Sequence, residues 1–221
     1  MPPNTLPTDY GPEAPAPSRL ESFSDGVIAV IITIMVLEFK LPQEPGPKAF
    51  VTHVVPTLAV YLLSFTYTGI YWINHHHLVH RLKSVDAPIL YANLLWLFCL
   101  SLVPFATSYV LSEKFNSFSV AVYAGELFLS GLAFVILSAA VTRHFHRTGT
   151  ANPVKLAAQK AEGRKAFLSL ALYALAVPLA YWHPSFAAAG LVAGTLLWIV
   201  PGFMVPASRH SESTGSSEEP R

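Results

Sequence analysis

The sequence predicts an all-α fold: a polytopic membrane protein of six transmembrane helices. Three observations carry that prediction. Only 12% of the 221 residues are charged and 52% are hydrophobic, against the roughly 25% charge of an ordinary soluble domain. The apolar residues come in blocks near the ~20 that a bilayer-spanning helix needs, and the mean hydropathy is +0.45. The breaks between blocks are short and polar or proline-rich. The same arithmetic excludes other classes. A net charge of +1 leaves no basic surface for a nucleic-acid partner, and a single cysteine excludes a disulfide scaffold or a multi-cysteine metal site.

The predicted helices are roughly 20–39, 51–74, 88–111, 119–142, 166–182 and 185–205. LPQEPGP, with three prolines, separates the first two, and HHHLVHRLKSVDAP the second and third. SEKFNS is a turn, and RHFHRTGTANPVKLAAQKAEGRK a long basic connection, partly helical by propensity. The last two helices meet at Trp182-His183-Pro184. Residues 1–18 hold six prolines and no basic-then-apolar leader pattern, so they read as a disordered tail. Residues 207–221 are Ser/Glu-rich with little to bury and read the same way. Between the tails lies one six-helix domain, 19–206.

Lysines and arginines set the expected orientation, because cytoplasmic connections hold the excess. With the N-terminus inside, eleven of the 14 fall on the inner side, leaving Lys40, Lys48 and Lys114 outside. Both termini are therefore expected in the cytoplasm, and the protein in the cell membrane (a prokaryotic inner membrane) as a multi-pass chain in lipid.

The first helix opens with Arg19, Glu21, Ser22, Ser24 and Asp25 before VIAVIITIMVLEF. Charges this near hydrocarbon are costly unless paired or hydrated. One reading is an ordinary helix start, with Ser22 or Ser24 as cap and Arg19 reaching for headgroups. The other is a polar cluster. Trp72, Asn74, His75, His76 and His77 end the second helix, and Asp86 and Asn93 begin the third, all at the same depth. At about 100° per residue, Val27, Val30, Ile34 and Leu37 form one stripe about 80° wide, flanked by Thr33. Periodicity alone leaves it open whether that stripe packs on a neighbour or lines a pore.

Arg19-x-x-x-Phe23-Ser24-Asp25-Gly26, running on to Glu38, resembles the signature first helix of the transmembrane protein 175 family, the endosomal and lysosomal potassium channels and their prokaryotic relatives. Tyr71-Trp72-x-x-His75-His76, and Asn93 followed by Pro104-Phe105, agree in order. The motifs cover the first three helices; over the last three the likeness is in number and length. The resemblance implies a homo-oligomer, a tetramer of single six-helix repeats, with the first helices around a central pore permeable to potassium and monovalent cations. It implies Val30 at the constriction, Ile34 and Leu37 along the lining, and Thr33 in a hydroxyl-bearing layer. It also implies an inner network of Arg19, Ser24, Asp25, Trp72 and His76, with His75 and Asn93 beside them, that braces the pore helix. The family's isoleucine is replaced by Val30, one methylene shorter, so a Val30 ring is expected to be wider and easier to wet.

No phosphate-binding loop, TVGYG filter or arginine ladder occurs, which leaves passive permeation rather than pumping, an enzyme, or steep voltage gating. No cofactor is expected; potassium is the permeant ion. The alternative is a proton channel or proton-coupled transporter using Asp25, Glu38, Glu126 and the histidines. A membrane metal or redox protein is a third reading, resting on His76 and His80 four residues apart. Glu126 falls in the outer third of the fourth helix, facing protein or a hydrated vestibule. Cys99 reads as a small core residue.

Overall fold

The structure is a computed structural model that describes residues 16–39, 45–149 and 153–199, with residues 38, 153–162, 164 and 199 described by backbone alone. The described residues are helical almost throughout: α1 Pro17–Met35 with a short 3-10 turn Val36–Glu38, α2 Pro47–Val79, α3 Ala87–Leu100, α4 Val103–Ser112, α5 Ser117–Arg147, α6 Pro153–Trp182 and α7 Pro184–Ile199. The predicted all-α fold is what forms. Of the two predicted tails, residues 1–15 and 200–221 lie outside the described residues, as does the end of the sixth predicted helix.

Several boundaries differ from the sequence expectation, each for a local reason. Helix α1 starts at Pro17, inside the predicted tail. Proline is tolerated there because the first helical N–H has no partner to lose. Its N-cap is Ala16, with no side-chain cap, so neither Ser22 nor Ser24 plays the capping role. The third predicted helix is two, broken at Ser101-Leu102; Pro104 sits in the first turn of α4 and so restarts a helix rather than kinking one. The basic connection is nearly all helix: α5 runs through Arg147 and α6 resumes at Pro153. The α4–α5 turn needs left-handed backbone at Lys114 and Phe115, φ 51° and 61°, and closes on Asn116, whose side chain accepts from the Ser119 amide at 2.8 Å.

Helix α5 is the centre of the bundle, packed against α3, α4, α6 and α7, while α1 leans on α2, α3 and α4. The core is correspondingly aromatic, with Trp96, Tyr67 and Tyr173 the bulkiest fully buried side chains. Tyr67 and Tyr71 meet edge to face at 4.7 Å, and Tyr71 meets Phe134 at 5.1 Å. The contact is close enough that a Cβ on Gly131 would lie 3.0 Å from the Tyr71 hydroxyl. Among the described residues four stretches are long and apolar enough to cross a membrane: Pro47–Val79, Ala87–Ser112, Ser117–Arg147 and Lys165–Trp182. Helix α7 is shorter, and α1 carries Arg19, Glu21 and Asp25 in its first half.

Candidate functional site: the two faces of the first helix

Helix α1 resolves what periodicity left open. Its buried residues are Leu20, Ser24, Ile28, Ile31 and Met35, a set spaced three and four apart that forms one face. The predicted stripe lies on the other side. Val30 is 53% exposed, Ile34 44% and Leu37 76%, and Thr33 is exposed beside them. Val27 lies half-buried at the edge. The stripe therefore does not pack on a neighbouring helix of the same chain. Thr33 turns its hydroxyl hydrogen back to the helix, toward the carbonyls of Ala29 at 2.9 Å and Val30 at 3.0 Å, so its oxygen lone pairs face outward. Beside the stripe, α1 and α4 leave an apolar groove of about 900 Å³, walled by Val27, Val30, Ile34, Pro104 and Phe105.

The buried face is held by a hydrogen-bond chain in which every donor points the same way. His75 Nε2–H donates to Asn93 Oδ1 at 2.9 Å, Asn93 Nδ2 to Ser24 Oγ at 3.0 Å, and Ser24 Oγ to the Leu20 carbonyl at 2.8 Å. All three side chains are fully buried. Helices α2, α3 and α1 are thus joined at one point, where apolar side chains would give no directional register. The His75 ring lies flat on Trp96 at 4.8 Å and 15°, which fixes its tilt. Its Nδ1 is buried without a hydrogen-bond partner among the described residues.

A second, more exposed tier flanks this one. Trp72 Nε1 donates to Asp25 Oδ1 at 2.9 Å, and His76 Nδ1 donates to Glu21 Oε1 at 2.8 Å. Both predicted histidines bond into this end of the bundle, His75 in the buried tier and His76 in the exposed one. One residue of helical rotation separates a ring at the α1–α3 contact from a ring in the open, a difference that four successive polar residues do not reveal. Arg19 stands outside both tiers, exposed and about 140° around α1 from Ser24. Glu21 and Trp96 were missed as members. Glu21 could have been found, since it precedes Asp25 by four residues and shares its side of the helix.

At the same end, Asp86 caps α3 by accepting from the Ile89 amide at 3.3 Å, and it also takes His144 Nδ1–H at 3.1 Å and Arg147 at 3.3 Å. The Ser84 hydroxyl lies 3.4 Å from the far nitrogen of His144. This ties the α2–α3 connection to the end of α5. Partial burial works to raise the Asp86 carboxyl, but the His144 and Ile89 hydrogen bonds and the His144 and Arg147 charges outweigh it. The group is held below its ordinary value. His76 and His80 stack at 5.6 Å, and among the described residues no group of three or more His, Cys, Asp or Glu side chains is placed to hold a metal. The side chain of Glu38 lies outside the described residues.

Long apolar helices, joined internally by buried hydrogen bonds and exposing apolar faces on most sides, define a multi-pass membrane protein. The family profile described as endosomal/lysosomal potassium channel TMEM175 matches residues 19–104. A potassium channel of Chryseobacterium sp. (strain P1-3) is 39% identical over 183 residues, which is 83% of this chain and 92% of that protein. The endosomal/lysosomal proton channel TMEM175 of Mus musculus is 28% identical over 180 residues, 74% of this chain but 35% of that longer protein. The crystal structure of a lysosomal potassium-selective channel TMEM175 homolog from Chamaesiphon minutus has the same fold, with TM-score 0.66 over 83% of this chain and 96% of that one at 23% identity. The chain belongs to the TMEM175 family, a family of channels rather than enzymes. The profile spans the segment in which the sequence motifs were found, and the Chryseobacterium match carries the likeness on into the last three helices.

Proposed function

We propose that this protein is a potassium-permeable, passive cation channel of the cell membrane. It assembles as a homotetramer with both termini in the cytoplasm and α1 of each copy lining the pore. The observation that carries the reading is the exposed, uncharged stripe of Val30, Thr33, Ile34 and Leu37, opposite a hydrogen-bonded face on the same helix. A potassium channel 39% identical over most of both chains supports it. In this arrangement Val30 forms the narrowest ring and excludes hydrated ions by dewetting. Ile34 and Leu37 extend the apolar lining, and the outward Thr33 oxygens offer a cation partial replacement for its water.

The Ser24–Asn93–His75 chain and the Asp25–Trp72 pair act as braces that hold α1 at a fixed rotation, so that the stripe keeps facing the pore. Arg19 serves the aqueous inner mouth. The α1–α4 groove, open beside the stripe, receives an apolar helix of the adjacent subunit. A second reading, proton permeation through the same pore, is favoured by the naming of the mouse relative as a proton channel.

The test is ion flux from proteoliposomes loaded with potassium, sodium or acid, for wild type and Ile34→Asn. Potassium is expected to leave several-fold faster than from empty liposomes, with Ile34→Asn faster still because a polar ring wets more readily. Potassium efflux no faster than from empty vesicles overturns the channel reading. Proton flux without potassium flux selects the second.

A further inference from the structure

Away from α1, the bundle buries one carboxyl that neither the pore nor the inner braces use. Glu126 lies nine residues into α5, about 14 Å from that helix's start, and only 8% of it is exposed. Ser130, one turn on, donates its hydroxyl to Oε1 at 2.7 Å. Oε2 is fully buried and has no hydrogen-bond partner among the described residues. The titratable groups near it, among the described residues, are tyrosines and a thiol. Tyr67 and Tyr71 of α2, Tyr123 of α5 and the Cys99 thiol of α3 are near enough to feel its charge. Tyr173 of α6 stands behind Tyr67 at 5.9 Å. Helices α4 and α7 bring Thr107 and Thr195, which do not titrate; Thr107 reaches Ser64 and Ser64 reaches Tyr123 at 2.8 and 2.7 Å. Among the described residues no lysine, arginine or histidine pairs with Glu126.

A carboxylate at this depth would have its charge uncompensated, with one oxygen cut off from water, a state that folded proteins avoid by neutralising the group. Oε1 is already occupied as an acceptor, which leaves Oε2 to carry a hydrogen. We propose that Glu126 is a proton-binding site, occupied in the packed state of the bundle, where α2, α3 and α5 meet. Loss of that proton forces the carboxylate to recruit water or a cation, and the only way to admit either is to part the aromatic packing around it. Tyr67 is the first side chain to move, because its hydroxyl donates to the Leu127 carbonyl at 2.6 Å, next in sequence to Glu126. Tyr67, Tyr71 and His75 follow one another at four-residue spacing on the same face of α2, and His75 begins the chain to Ser24. A disturbance at Glu126 therefore bears on the same α2 face that braces α1.

The experiment uses the full-length protein in detergent and does not depend on ion flux. Infrared spectra of wild type at neutral pH are expected to show a protonated-carboxyl carbonyl band that shifts on deuteration and is missing from Glu126→Gln. An unfolded carboxyl ionises near pH 4.3 while the buried one keeps its proton, so the folded state binds more protons and its stability falls as pH rises. Above about pH 5, and for as long as the buried carboxyl stays protonated, the melting temperature of wild type should drop relative to Glu126→Gln by about 3 °C per pH unit. Should Glu126→Gln fail to fold, the wild-type band and its deuterium shift alone decide the matter. Absence of the band, or parallel pH profiles for the two proteins, overturns the proposal whether or not the protein conducts potassium.

Discussion

The two faces of α1 are built from nearly the same side chains and meet opposite fates. Leu20, Ile28, Ile31 and Met35 are buried with Ser24 among them; Val30, Ile34 and Leu37 are exposed with Thr33 among them. Even the two hydroxyls begin alike, each donating to a carbonyl one turn back, Ser24 to Leu20 at 2.8 Å and Thr33 to Ala29 at 2.9 Å. What separates them is the second half of each oxygen. Ser24 accepts from Asn93 at 3.0 Å, whereas the Thr33 oxygen faces out. An apolar helix surface thus does not declare its role through composition. One directional hydrogen bond from a neighbouring helix meets the covered face at Ser24, and the rotation of α1 assigns every other residue to protein or to open space.

The strongest way to break this contrast is to remove the hydrogen bond. Asn93→Leu leaves the His75 Nε2–H donor and the acceptor side of Ser24 Oγ buried without a partner, and should cost about 3 kcal/mol. In a thermal melt that is a drop of about 8 °C. A drop under about 2 °C would mean that apolar packing, not this chain, sets the rotation of α1.

The Asp86 cluster is a control of similar chemistry at the same end of the bundle, but one that joins the α2–α3 connection to α5. Its carboxyl is held below the ordinary value, so its stabilisation is present above the unfolded value and is lost as pH falls through the folded one. Asp86→Asn should therefore lower stability by about 0.5–1 kcal/mol at neutral pH, and the difference from wild type should close as the pH falls below the ordinary aspartate range. If Asp86→Asn also changes potassium flux several-fold, the inner braces act as one unit rather than two.

The smallest change in stability is expected on the exposed face. Thr33→Val keeps the shape and removes the outward oxygen, so the melting temperature should stay within about 1 °C of wild type while potassium flux changes several-fold. A destabilised Thr33→Val protein with unaltered flux would place Thr33 in a packed contact and take it out of the lining.

Much of this was legible in the sequence, and the reasons differ by region. Blocks of about 20 apolar residues in a chain with 12% charge dictate long helices, because backbone groups in lipid must be satisfied within their own segment. The polar residues at the ends of the first three helices pointed to a cluster at one depth, and Ser24, Asp25, Trp72, His75 and Asn93 do meet there. The break at Ser101-Leu102 was less legible, since Pro104 is equally compatible with a kink and with a new start. The helical extension of α5 through Arg147 was obscured by its charge, which says where a segment leaves the membrane but not where it stops being helix.

What the sequence by itself determined was the helical period, the position of the apolar blocks and their order, since these follow from local backbone and solvent chemistry. The tertiary structure alone decided which of two adjacent histidines is buried, which face of α1 is covered, and that Glu126 ends up among tyrosines with no counter-charge. Those outcomes depend on the rotation of one helix against another. Rotation is set by contacts between residues 18 to 69 positions apart, for which the order of residues within any one helix carries no signal.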